Sequence, residues 1–225
     1  MSTKYLNYEV ISWQGLIQMI VYLLGRGYYH WHLIYLPESK QDKWASIDKK
    51  LIAKYGMDIS KYTRRDRKKR NIANFYYLRW QHIAILLHTD GEITSKVKAS
   101  IAKLNDTIDE FFDIRKTHMF LNIGDISTYE IYKDQDTIIV KLEKQFYREL
   151  KTGLMDVAET KNKSRMRHTF NKLNGMPSWS GVYQQKKALA KFLVKQARKN
   201  GVKLSLSDLR MVRKRFVYKV FKEDA

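Results

Sequence analysis

The sequence predicts an α+β protein built on a small antiparallel sheet. Three observations predict it. Short runs of aromatic and branched residues end at turn signals. Stretches with apolar residues every three or four positions separate those runs. Only two prolines interrupt the 225 residues.

The elements follow in chain order. Residues 10–24 (VISWQGLIQMIVYLL) are apolar but too short to span a bilayer, and Gln14, Gly15 and Gln18 break them, so a buried helix is expected. They also lack the basic start and cleavage site of a signal peptide. Next comes YYHWHLIYLP, with Gly25 and Gly27 before it and Pro37 at its end, which reads as a strand. Side chains alternate along a strand. His30 and His32 therefore share one face, ~7 Å apart, and Trp31 takes the other. Ser39 and Asp42 resemble a helix start, and Trp44, Ile47, Leu51, Ile52 and Tyr55 recur at helical spacing up to Gly56. The basic TRRDRKKR at 63–70 follows as a loop or helix start.

NFYYLRWQHIAILLHTDGE at 74–92 reads as one long strand, or two with a break near 79–81, ending in the Asp90-Gly91 turn. Val97, Ile101, Leu104, Ile108, Phe111 and Phe112 predict a helix of about five turns. Strands are expected at 118–126, 128–133 and 137–142, and a helix through 145–151. Beyond Gly153 the chain turns basic, with helices expected at 183–199 and 207–221 and Asn200-Gly201 between them. The expected architecture is a ferredoxin-like core at 1–152, with helices on one face of the sheet, and a basic helical extension at 153–225.

Charge points to the partner. The chain carries 43 Lys+Arg against 23 Asp+Glu, a net of +20. The asymmetry is sharper locally: 160–219 hold 17 basic residues and one acid, Asp208. Ordinary helices mix lysines with glutamates, so missing acids are more informative than lysines present. A body this positive repels itself unless something anionic meets it, and nucleic acid is the expected partner rather than a membrane. Such binding needs no cofactor and is dominated by phosphate contacts. The candidate contacts are Arg64, Arg65, Arg67, Lys68, Lys69 and Arg70 in the first cluster, and Arg165, Arg167, Lys186, Lys187, Arg210, Arg213, Lys214 and Arg215 in the second. Arg210, Arg213 and Lys214 would share one face of the last expected helix, as in a groove-entering helix. Trp31 and Trp179 could stack on bases, as could a sheet face carrying Tyr29 and Tyr35 or one carrying Tyr28, His30 and His32. Trp179 could equally plug the protein's own interior.

The HWH pattern resembles the HUH endonuclease superfamily, which includes rolling-circle replication initiators, relaxases and single-tyrosine transposases. That resemblance implies a mobile or plasmid-like element as the source. It further implies that His30 and His32 hold a divalent ion, Mg or Mn, which polarises a scissile phosphate of single-stranded DNA. A helical tyrosine would attack that phosphate and retain the 5′ end. Tyr147, with Lys151 one turn on, is the position that matches the nucleophile. A metal-independent ribonuclease of the kind that trims CRISPR repeat RNA is an alternative with a similar sheet and charge, but its glycine-rich C-terminal loop has no counterpart here. A non-catalytic subunit of a larger nucleoprotein assembly is a third. Cysteine is absent, which removes disulfides, thiolate metal sites and cysteine catalysis and fits a cytoplasmic protein. No glycine-rich phosphate loop, dinucleotide fingerprint or zinc finger occurs.

Overall fold

Alternation in the HWH stretch sets the first sheet. β1 (His30–Tyr35) pairs antiparallel with β3 (Ile83–His88), and β3 pairs antiparallel with β2 (Phe75–Trp80). His30 lies opposite His88, and His88 opposite Phe75; His32 lies opposite Leu86, and Leu86 opposite Tyr77. These six side chains share one face, while Trp31, Leu87 and Tyr76 share the other. β4 (Phe112–Asp113) adds to the free edge of β1 and completes the order β2-β3-β1-β4. α1 (Trp13–Gly25) precedes β1, α2 (Trp44–Tyr55) and α3 (Lys61–Lys69) connect β1 to β2, and α4 (Ser95–Lys103) connects β3 to β4. From β1 onward the order β-α-β-β-α-β on this sheet is the ferredoxin-like arrangement. The computed structural model describes residues 4–104, 106–213 and 217–222.

Both faces of this sheet are covered. Ile52 and Tyr55 of α2 and Val97 and Ile101 of α4 pack with Phe75, Tyr77, Ala84 and Leu86. On the other side α1 contacts β2 and buries Leu16, Ile17, Ile20, Leu23 and Leu24. The expectation of helices on one face alone is thus corrected: the apolar run at 10–24 is the second cover. Tyr77 and Arg79 of β2 both donate to Asp48 of α2, which is fully buried, at 2.7 and 2.9 Å. Glu9 accepts from the same guanidinium at 3.1 Å. Asp90-Gly91 turns the chain as the sequence predicts. Gly91 has φ +128°, and a Cβ there would lie 2.7 Å from the Asn71 carbonyl.

The helix expected through 112 stops at Lys103. Side-chain partners outcompete it. Lys54 on α2 pairs with Asp106 at 3.2 Å and Asp109 at 3.0 Å, and Tyr55 donates to Asp109 at 2.5 Å. These contacts draw 106–111 across α2, and Phe112 goes to β4 beside Trp31.

A second compact unit begins at His118, while 217–222 belong to the first unit. The expected division at 152/153 falls instead inside α5 (Lys144–Glu159). In this unit β5 (Met119–Asn122), β6 (Thr128–Asp134) and β7 (Thr137–Leu142) form an antiparallel meander. α5, α6 (Lys163–Lys172) and α7 (Ser180–Lys199) follow. α7 packs on β7 so closely that a Cβ at Gly181 would lie 2.5 Å from the Val140 carbonyl. Leu154, Ala158, Met166, Phe170, Leu189 and Leu193 join the three helices in one core. The basic region is therefore part of a folded unit with its own sheet.

The helix expected at 207–221 is corrected too. A Ser205–Asp208 capping box holds a single 3-10 turn, Leu206–Asp208, and 209–213 are non-helical. The Asn174 amide takes the place of helical hydrogen bonds. It donates to the Arg210 carbonyl at 2.7 Å and accepts from the Val212 N–H at 3.1 Å. Among the described residues no helix is long and apolar enough to cross a membrane.

Candidate nucleic-acid interface

The histidine face is built by the β1–β3 pairing. The His30 and His88 rings stack 11° from parallel with centroids 4.3 Å apart. Each ring spends one N–H on an acceptor. His30 Nε2 donates to Asp90 at 2.7 Å, His32 Nδ1 to the Glu110 carbonyl at 2.7 Å, and His88 Nδ1 to the Thr89 carbonyl at 2.8 Å. Arg115 grips Asp90 and Asp113 together, which holds both carboxyls below their usual range. Burial pushes His88 down to about 4.

The stacked His30 and His88 rings do not converge on one ion as placed. Lone pairs lie in the ring plane, so two stacked rings aim theirs side by side. They cannot converge at the 2.0–2.1 Å of a histidine–metal bond. His30 retains Nδ1 and His32 retains Nε2 as ring nitrogens outside these hydrogen bonds. Among the described residues no group of three or more His, Asp or Glu is placed to hold a metal.

Tyr147 lies on α5 as expected, in the second unit, whereas the histidines belong to the first. It is half-buried against the helical core, and burial raises its pKa. That direction opposes the phenolate a nucleophile needs. Lys151 is one turn away, but its ammonium sits 4.7 Å above the Phe192 ring.

The expected cations divide into outward and inward sets. On α3, which buries no side chain, Arg65, Lys68, Lys69 and Arg70 just past its end are exposed. Arg64 turns inward: it donates to the Met57 carbonyl at 2.9 Å and lies over the Tyr76 ring. Arg67 is half-buried. In the second unit Arg165, Arg167, Lys187, Arg210 and Arg213 are exposed. Lys187 and Arg213 flank the Tyr183 ring at 4.9 and 5.2 Å. Lys214 and Arg215 lie outside the described residues.

Lys186 is a correction. It is 0% exposed, and its ammonium donates to the Val212 carbonyl over a long 3.4 Å. Burial lowers its pKa. The phase of α7 carried the signal: Val182, Lys186, Leu189, Leu193 and Ala197 form one inward row. Lys186→Met should stabilise the protein by about 1 kcal/mol in thermal unfolding, because it removes a poorly satisfied buried charge. Val212 keeps the Ser178 hydroxyl as a donor. Affinity for nucleic acid should stay within about twofold.

Trp31 is corrected as well. It is 8% exposed, its indole N–H has no acceptor, and it packs on Phe112 beneath the covered face. Trp179 is half-buried with its indole nitrogen enclosed and unpaired, which matches the plug rather than the platform. The open aromatic sheet face is elsewhere. On β5–β6, Phe120 is 50% exposed and His118 stacks on Tyr132 at 4.5 Å. Glu130 lies between His118, at 2.7 Å, and Lys141, at 3.2 Å. Sequence alternation at 118–132 carried this signal.

α7 carries an ordered row of cations. Lys187, Lys191, Lys195 and Lys199 recur every four residues, all exposed, on a helix without a carboxylate. Among the described residues of 160–213 the one ion pair is Lys163–Asp208, at 2.9 Å. Fold and surface thus define an α+β protein with a ferredoxin-like unit and a second unit faced with uncompensated cations. Compared with protein-family models and with curated proteins, the sequence matches none.

Proposed function

We propose that the protein binds nucleic acid, clamping the phosphate backbone with the outer stripe of α7 and the exposed cations of α6, while the exposed cations of α3 give the first unit a phosphate contact of its own. The α7 stripe carries this reading. Like charges four residues apart destabilise a helix by about 0.2–0.5 kcal/mol per pair, and this helix repeats the pairing three times. A polyanion reverses the sign of that term. Twelve residues of rise make the stripe about 18 Å long, enough to track several successive phosphates. The apolar row of the same helix, Leu189 and Leu193 included, is spent on the unit's own core, and the lysine stripe lies on the outward side.

Phe120, His118 and Tyr132 supply the base-stacking part of the reading, in place of the covered face of β1. Stacking of this kind is worth about 1–3 kcal/mol per base and needs bases out of a duplex. A single strand, or a locally unpaired duplex, is the preferred form. The test is affinity for single-stranded RNA, single-stranded DNA and duplex DNA across a salt series. Binding should weaken steeply with salt and favour single strands. A flat salt response would remove the phosphate clamp and the reading with it.

A further inference from the structure

A cleft of about 470 Å³ lies among α2, α3 and α4 of the first unit. Its wall is apolar, with Ile52, Ala53, Ile59 and Val97. Its rim holds three cations from three helices: Lys49, Arg67 and Lys96. Among the described residues none of these three donates to an acceptor or pairs with a carboxylate. The carboxylate at the cleft, Asp58, has its two oxygens engaged by the backbone N–H groups of Lys4, at 3.0 Å, and Tyr5, at 2.6 Å.

Arg67 is the unusual member. Burial is the first cause that lowers its pKa, and the neighbouring cations Arg64 and Arg70 add to it. A guanidinium partly withdrawn from water, with like charges beside it and no anion, is an unmet demand for one. The forked geometry of arginine suits a phosphate's oxygens. The two lysines add point charges from α2 and α4. A volume within about 300–1,000 Å³ suits a small ligand, and the apolar wall suits a flat ring.

We infer that this cleft is a nucleotide site, in which Arg67, Lys49 and Lys96 hold a phosphate while the attached nucleoside lies on Ile52, Ala53, Ile59 and Val97. The shared ligand chemistry is a nucleoside monophosphate, either free or as the phosphorylated end of a strand. The strand source rests on the nucleic-acid reading above, whereas the site itself does not.

The test uses the full chain in calorimetry at low salt, with adenosine 5′-monophosphate, adenosine and inorganic phosphate as probes. The monophosphate should bind best. Arg67→Gln, and separately Lys49→Gln with Lys96→Gln, should weaken it at least tenfold, while Lys98→Gln on the outside of α4 should not. The lysine pair is exposed, so that variant keeps the fold even if Arg67→Gln does not. Two oligonucleotides of one sequence, with a 5′-phosphate or a 5′-hydroxyl, separate the sources. A several-fold preference for the phosphorylated strand, erased by Arg67→Gln, assigns the site to strand ends. Equal binding of the two strands, with the monophosphate response intact, assigns it to free nucleotide. Monophosphate binding without any oligonucleotide binding would overturn the phosphate clamp and leave the cleft standing. Absence of monophosphate binding, or binding indifferent to the variants, would overturn the cleft.

Discussion

Replacing Lys187, Lys191 and Lys195 together by glutamine should weaken nucleic-acid binding on the order of a hundredfold at physiological salt. Each lost phosphate contact also removes about 0.7–0.9 from the slope of log affinity against log salt, so the slope should flatten by about 2. The same variant should become more stable, not less. All three repulsive pairs along the stripe disappear, including Lys195 with Lys199, for a gain of about 1 kcal/mol. Glutamine is a good helix former, so propensity costs little. Lys199 is left in place because a cation in the last turn complements the helix dipole. The two readouts move in opposite directions, and this separates a binding stripe from a merely solvated one. A solvated stripe would gain the stability and lose no affinity. An unchanged salt slope would therefore refute the assignment of α7 even if the protein still bound nucleic acid elsewhere.

The sequence exposed those elements whose local pattern agreed with their surroundings. β3 reads IAILLH and is buried on both faces, and β1 alternates as its neighbours demand. The α+β class follows from these. The break between β2 and β3 stayed ambiguous because its turn is Gln81-His82, with Gln81 at φ 48° and no glycine to announce it. The helix expected through 145–151 continues past Gly153 to Glu159, since burial of Leu154 and Ala158 offsets the weak helix former. α6 went unread although Asn162 caps it and Met166 and Phe170 give it an inward row. What no local pattern contains is which face of β1 the rest of the fold will cover. Phe112 of β4 packs on Trp31, and burial there turns it from a stacking platform into core. Likewise, Lys186 and Lys187 are indistinguishable as neighbours in a basic run, and only helix phase sends one inward. The α7 stripe follows from the same phase. The α2–α3–α4 cleft does not, because its cations come from three elements that only the fold brings together.

Acid should destabilise the first unit in two separable steps, and His88 sets the upper one. Its ring is packed among His30, Phe75 and Phe111. Burial is the largest cause of its shift from 6.5 to about 4, the His30 charge adds to it, and the Thr89 carbonyl and Asp90 oppose it. Between those values the unfolded chain holds a proton that the folded chain refuses. Stability therefore falls as pH drops below about 6.5 and levels near 4, by at most about 3 kcal/mol and less to the extent that water reaches the ring. The second step belongs to Asp90 and Asp113. Arg115 depresses both, so their contribution is present above the ordinary carboxylate value of 3.8 and is lost as pH falls through their lowered values. Denaturant unfolding at pH 7.5, 5.5 and 4 should show the first step. His88→Phe keeps a ring in the stack and removes the titrating nitrogen, so its stability should be nearly flat from pH 7 to 4.5 while the carboxylate step remains. Arg115→Gln should do the reverse, weakening the lower step and leaving the upper one. If His88→Phe lost stability with acid as steeply as the parent chain, the charge held off the stacked histidines would not be what acid attacks.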